Sequence, residues 1–355
     1  MLLQGTPMAF EIGLFLPSTR GGSIMSTTEP PQEAPTWRLN ATVTRMAEDA
    51  GLDFVLSQSK WRGYGGISQH WDVSLESFTL MAALAATTHR IKLYSSVGVR
   101  AFHPAVAAKM CVTLDEISGG RFGVNIVSGW NKFEYGQMGM WPEDGYHTYR
   151  YAYAEEFLEV MKLLWAKGRA SHKGKFFTLD DCKSYPMPKR RLPIVCAGQS
   201  DSALQFTAKH ADYGFVGRMH DTPEKLGALN ARLQELAKAE GRTVKSYALI
   251  NVVTAATDAE AIARQDFFVA NADHEAIDEW MRASAEDPTR DMSGLDLVKR
   301  TFMRFPFITA SYDGVAERID AIAAAGVSGI CLLLPDFERD LQAFIDHVLP
   351  RMTCR

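Results

Sequence analysis

Residues 103–130 read HPAVAAKMCVTLDEISGGRFGVNIVSGW, and the order of signals within them decides the architecture of the rest. Pro104 suits the first position of a helix, where a missing N–H costs nothing. Val106, Met110, Leu114 and Ile117 recur at three- and four-residue spacing, which predicts one buried helix face. Gly119-Gly120 stops the helix, because glycine takes the left-handed C-cap conformation without a Cβ penalty. Phe122, Val124 and Ile126 then alternate with Gly123, Asn125 and Val127, the period of a strand. The residue out of character is Asn125. An amide in a strand of Val, Ile and Phe must find partners, because an unpaired buried amide is costly. It is either a satisfied core amide or a group that points into a site.

The same alternation runs through the chain. Strands are predicted over 10–16, 53–57, 91–97, 122–128, 193–197, 212–216, 247–255 and 328–334. Helices are predicted near 37–51, 74–88, 104–118, 146–167, 200–210, 222–240, 257–271 and 337–349. Eight strands each followed by a helix is the count of a (β/α)8 TIM barrel, an α/β fold. A doubly wound sheet is the alternative, but no G-x-G-x-x-G follows any strand, so the dinucleotide fingerprint is missing. One domain over 1–355 is expected, with residues 1–7 a start of little weight (Met8 could equally begin the chain) and 272–312 an insertion after strand seven. Long loops at 18–36, 57–73 and 129–147 follow strands one, two and four, on the C-terminal face where barrel enzymes build their sites. The loop at 129–147 carries Trp130, Tyr135, Met138, Met140, Trp141 and Tyr146, a content that suits a flat apolar ligand or a subunit interface.

Composition narrows the function classes. The chain has 355 residues, 46% hydrophobic and 23% charged, with a formal charge of −4. That balance offers no electrostatic case for nucleic acid or an anionic membrane. No apolar run approaches the roughly 20 residues of a membrane span. The start lacks the basic region and cleavage site of a secretion signal and reads better as a first strand. The unpaired cysteines suit a reducing cytoplasm, which is the expected location. Five cysteines are scattered with no C-x-x-C pair, which argues against a disulfide framework or zinc ribbon. Cys111, Cys196 and Cys331 read as small core residues. The nine histidines show no ligand spacing, so no metal is expected.

Candidate chemistry is sparse. AGQS at 197–200 closes a strand and opens a helix; small residues and Ser200 at the N-cap could admit an anion or merely cap the helix. Ser96 ends strand three and could line a site. Lys60 and Arg62 follow strand two and are either anion ligands or solvated loop cations. Arg150-Tyr151 falls in the first turn of a strong helix, where a cation opposes the helix dipole, an anomaly that a bound anion or a carboxylate such as Glu134 would relieve. No nucleophile elbow or triad order appears. A site of amides, hydroxyls, aromatics and a few cations suits a cofactor that carries the hard step.

The stretches TLDEISGGRFGVNIVSGW (113–130), SLESFTLMAALAA (74–86), EYGQMGMWPEDGY (134–146), KGKFFTLDDC (173–182) and VCAGQSD (195–201) together resemble the bacterial luciferase-like, FMN-dependent monooxygenases. Within them the resemblance is to the pyrimidine branch of the Rut uracil-degradation pathway, over nearly the whole chain. It implies a two-component enzyme using reduced FMN, supplied by a separate NADH-dependent flavin reductase, and O2 as cosubstrate. It implies ring cleavage of uracil, thymine or a related heterocycle between N3 and C4, giving a ureidoacrylate-type product. Carried over by position, FMN contacts are expected at Ser59, Lys60, Asn125, Glu134, Arg150, Tyr151 and Ser200. Dioxygen is expected near the catalytic pair Ser96 and Asn125. Trp130 and Phe215 are expected to flank a small planar substrate, and a homo-oligomer is expected. The chain departs from the branch at Ser57-Gln58-Ser59, at Ser96 in place of threonine, at Arg100–His103 and over 279–312. Those departures leave open the same fold acting on a small organosulfur compound, or a deazaflavin-dependent oxidoreductase without oxygenase activity.

Overall fold

The computed structural model describes residues 10–31, 33–142, 145–198, 200–217 and 222–355. The proposed start at 1–7 and Gln199 of the AGQS motif lie outside these residues. In chain order the strands are β1 (Glu11–Phe15), β2 (Phe54–Ser57), β3 (Lys92–Gly98), β4 (Phe122–Val127), β5 (Arg169–Lys173), β6 (Thr178–Lys183), β7 (Ile194–Ala197), β8 (Tyr213–Val216), β9 (Lys245–Ala255), β10 (Phe307–Ser311) and β11 (Gly329–Leu333). The helices are α1 (Trp37–Asp49), α2 (Ser77–Thr87), α3 (Pro104–Ser118), α4 (Lys132–Gly136), α5 (Tyr146–Lys167), α6 (Asp201–His210), α7 (Pro223–Ala239), α8 (Asp258–Ala270), α9 (His274–Ala285), α10 (Leu297–Thr301), α11 (Tyr312–Ala324) and α12 (Phe337–Ala343).

Strands β1, β2, β3, β4, β7, β8, β9 and β11 pair in parallel and close on themselves, as a (β/α)8 barrel requires. Phe54, Leu56, Tyr94, Val195, Phe215, Tyr247 and Cys331 fill its interior. Gly13 makes room for this filling, because a Cβ there would lie 2.2 Å from the Phe54 ring. Glu11 closes the N-terminal floor. Its carboxylate accepts the Tyr247 hydroxyl at 2.6 Å and Lys92 Nζ at 3.1 Å, and also pairs with Lys245. Burial alone would raise the Glu11 pKa, but these donors outweigh it and hold the carboxyl below its usual value.

Three features differ from the sequence expectations. Helix α3 is rotated from the expected face: Leu114 is buried as expected, but Ala107 and Cys111 are buried beside it, while Val106 and Ile117 are 51% and 43% exposed. Small residues let α3 approach the strands and α2 and α5 closely, so bulk at 106 and 117 is left outside. Second, residues 169–183 form the antiparallel β5–β6 hairpin, whose alternation is masked by charged side chains; Glu156 anchors its turn by accepting the Phe177 N–H at 2.8 Å. Third, β9 is too long for the barrel. Tyr247–Asn251 pair with β11, whereas Asn251–Ala255 pair with β10 outside the ring. Helix α8 therefore packs on β9 and β10, and α11, with Val315, Ile319 and Ile322 buried, packs beside α7 as the helix that returns the chain to β11.

Above the barrel mouth a second apolar cluster joins Met25, Tyr64, Ile277, Trp280 and Met303, with Trp71, Trp130 and Phe133 packed against it. Helix α9 and the chain on to Met303 thereby form a cover beside the loop that carries Tyr64 and Trp71. Among the described residues, no helix is long and apolar enough to cross a membrane.

Candidate active site

The inner wall begins with the strand registry. Ser96 on β3 lies beside Asn125 on β4, which lies beside Val195 on β7, and all three face the interior. Ser96 Oγ donates to the Ser57 carbonyl at 2.6 Å, and the Ser96 N–H donates to Ser77 Oγ at 2.9 Å. Ser77 Oγ in turn meets Ser57 Oγ at 2.5 Å and Ser95 Oγ at 2.9 Å. With its proton committed to Ser57, Ser96 Oγ has a lone pair free to accept Asn125 Nδ2 at 2.8 Å. This fixes the amide, and leaves Asn125 Oδ1 buried without a donor. A buried acceptor left unmet is costly in a core and useful in a site. Phe215, 7% exposed, stands two strands further round the ring with its centroid 5.9 Å from Tyr247.

The mouth carries a buried ion pair. Lys60 Nζ donates to Glu134 Oε2 at 2.8 Å, and Glu134 Oε1 accepts the Trp61 N–H at 2.8 Å. The ammonium also lies 5.1 Å from the Tyr64 ring centroid, 5.3 Å from Trp71 and 5.9 Å from Trp130. Burial alone would lower the Lys60 pKa; the Glu134 charge outweighs it and raises it, so Lys60 is charged. Ser59 lies next to it, partly exposed. Most of the aromatic loop does not face this mouth. Tyr135 and Tyr146 are buried, Trp141 lies 6.5 Å and 5.0 Å from their ring centroids, and the Arg100 guanidinium sits 5.3 Å from the Tyr146 ring.

A third group gathers at the start of α5 and α6. Arg150 does not pair with Glu134. Its Nη1 donates to Asp287 Oδ2 at 2.6 Å and its Nη2 to Thr289 Oγ1 at 3.0 Å, while its buried Nε has no partner. Asp287 thus relieves the cation in the first turn. Burial pushes the Asp287 pKa up, but Arg150 prevails and holds it below the usual range. Ser200 caps α6 by accepting the Ala203 N–H at 3.3 Å. Gly198 has φ +148°, and a Cβ there would lie 2.6 Å from Ala203 Cβ and 3.1 Å from the Tyr151 hydroxyl. Backbone, the Tyr151 hydroxyl and a helix N-terminus therefore converge at this turn.

The structure joins Lys60, Glu134 and Trp130 in one cluster, Ser96 and Asn125 in a second, and Tyr151 and Ser200 through Gly198 in a third, all at strand C-termini. Sequence reasoning missed Tyr64, Trp71, Asp287, Thr289 and Arg290. The first two lie in a loop flagged only by length. The others lie in the run EDPTR (286–290), which reads like any solvated stretch.

Comparison with known proteins bears on the fold and the family. The model of the family described as luciferase-like monooxygenase matches residues 10–329. The pyrimidine monooxygenase RutA of Cronobacter turicensis is 41% identical over 355 residues, covering 97% of this chain and 93% of that protein. RutA of Klebsiella pneumoniae is 40% identical over 353 residues and covers 97% of both. The crystal structure of riboflavin lyase (RcaE) with modified FMN and riboflavin superposes with a TM-score of 0.83 at 22% identity, covering 96% of this chain and 91% of that one. A family model spanning nearly the whole barrel, with relatives at this identity over almost the full length, identifies the chain as a member of the luciferase-like monooxygenase family.

Proposed function

We propose that this monooxygenase is the flavin-dependent half of a two-component system in the cytoplasm, opening the ring of uracil, thymine or a close analogue between N3 and C4. The observation that carries the reading is the 41% identity over 97% of the chain to a protein named pyrimidine monooxygenase. The residues fit the cofactor: Gly198, Ser200 and Tyr151 form a close-approach anion cradle, Arg150 keeps a donor in reserve, and the mouth is polar at Lys60 and Glu134 and aromatic at Trp130.

Bound reduced FMN, supplied by a separate NADH-dependent reductase, brings the electrons and the capacity to activate O2. The chain's own residues orient and exclude water. Ser200, Tyr151 and Arg150 would hold the phosphate end. Ser59, Lys60 and Glu134 would fix the polar edge of the ring system. Asn125 Oδ1 is the acceptor for a ring N–H, with Ser96 holding its amide in place and the pair bounding the oxygen pocket. Trp130 and Phe215 would flank the planar substrate. The sum balances as uracil, O2, reduced FMN, NADH and one proton giving a ureidoacrylic acid, one water, oxidised FMN and NAD+.

The test supplies enzyme, FMN, NADH, a flavin reductase and air, and follows uracil and thymine by chromatography. Pyrimidine loss above the reductase-only control is expected. Loss no greater than that control would sink the reading.

A further inference from the structure

The cover over the barrel mouth brings a cation into the site that, among the described residues, forms no ion pair with a carboxylate. Three cations converge there: Lys60 is paired with Glu134 and Arg150 with Asp287. The third is Arg290. Among the described residues no carboxylate lies within 4.0 Å of it, and the hydrogen bond it makes by a side chain is Nη1 to Ser284 Oγ at 3.3 Å. Its guanidinium lies 3.9 Å from the centroid of the Trp130 ring. The buried Tyr64 ring belongs to the same cluster, 5.1 Å from Lys60 Nζ, the ammonium that also lies 5.9 Å from Trp130.

The placement is built, not incidental. Asp287 Oδ1 accepts the Thr289 hydroxyl at 2.7 Å and the Thr289 N–H at 3.0 Å, and the Arg290 N–H donates to the Asp287 carbonyl at 3.0 Å. The other Asp287 oxygen is bound to Arg150 at the head of α5. The turn 284–290 is thereby pinned to the barrel wall, and the pinning sets the guanidinium over Trp130. A guanidinium held 3.9 Å from an indole centroid is pre-organised, so its fork of donors loses little entropy on binding.

From this geometry we infer that Arg290 is the substrate-facing donor that takes the charge growing on the substrate's carbonyl oxygen. The inference rests on the proposed function. Attack of an oxygen nucleophile at C4 moves the carbonyl electron pair onto its oxygen; collapse breaks C4–N3, and N3 leaves as the ureido nitrogen with a proton. Donors waiting at that oxygen stabilise the transition state more than the ground state. The acceptor at Asn125 Oδ1 and the donors of Arg290 together suit a ring that carries an N–H next to a carbonyl. The substrate class is therefore a cyclic imide or amide; a sulfone offers no such N–H.

The test compares the parent enzyme with Arg290→Met, which keeps bulk on Trp130, and Arg290→Lys, which keeps charge, in the reductase-coupled assay. In Arg290→Met, kcat for uracil should fall about 100-fold or more, with NADH oxidation diverted to hydrogen peroxide. FMN affinity by fluorescence titration and thermal midpoint should stay near those of the parent, and Arg290→Lys should recover part of kcat. A kcat within threefold of the parent overturns the role and leaves the proposed function standing. Lost FMN affinity with kcat retained at saturating FMN also overturns it, placing Arg290 on the cofactor. A parent enzyme that consumes no pyrimidine overturns the proposed function, and the Arg290 role falls with it.

Discussion

The Lys60–Glu134 pair is where the structure makes its most quantitative demand. Both side chains are nearly out of solvent, at 5% and 6% exposure, with a contact of 2.8 Å. Solvent therefore screens neither charge, and removing one partner strands the other. Breaking such a pair costs about 3–5 kcal/mol, whereas replacing both partners together is often close to neutral. Unfolding entropy of about 2.1 cal/mol/K per residue over 355 residues is about 0.75 kcal/mol/K, so Glu134→Ala should lower the thermal midpoint by about 4–7 °C. Lys60→Met should do the same, since Glu134 would keep just the Trp61 N–H as its donor. The double variant should recover at least half of the summed loss. The assay is a double-mutant cycle by urea unfolding at pH 7.5, with calorimetry as the second probe. If the double variant loses the sum of the two single losses, the residues are uncoupled and the account of the mouth is wrong. Because both residues are proposed to meet the flavin, all three variants should also bind FMN more weakly.

Three further outcomes follow from particular atoms. Asn125→Ala removes an oxygen that has no protein partner and leaves Ser96 bonded to Ser57, so stability should change by less than about 1 kcal/mol, while product formation uncouples to hydrogen peroxide; a loss of several kcal/mol would make Asn125 a core amide instead. Gly198→Ala places a Cβ 2.6 Å from Ala203 in a backbone conformation that side chains avoid, and should cost about 1–3 kcal/mol and weaken FMN binding; unchanged affinity by titration would exclude this turn as the cradle. Glu11 has a folded pKa held below its unfolded one, so its stabilisation is full above the unfolded value of about 4.3 and fades as pH falls through the folded value; the deficit of Glu11→Gln against the parent should be present at pH 7 and shrink towards pH 3 in urea titrations, and a deficit independent of pH would contradict it.

The barrel was legible because its signals are local. Period-two apolar runs separated by helix-length amphipathic stretches depend on a few adjacent residues, and all eight predicted strands lie in the ring. Ser200 as an N-cap and Gly119 as a left-handed C-cap were readable for the same reason. Helix α11 was readable too, from Val315, Ile319 and Ile322, but the preceding segment 257–271 already satisfied the count of one helix per strand.

The chain's order of residues thus sufficed for the kind of fold, the end of the barrel that holds the site and the strand that carries Asn125, since each follows from spacing over less than a few turns. Closure of the ring decided the rest. Arg150 finds Asp287 across 137 residues and Lys60 finds Glu134 across 74. No local pattern distinguishes those carboxylates from their solvated neighbours. Which face of α3 is buried depended on how closely α2 and α5 approach it. The unmet oxygen of Asn125 and the unpaired charge of Arg290 exist only once every competing partner has been placed, because being without a partner is a property of the surroundings and not of the residue.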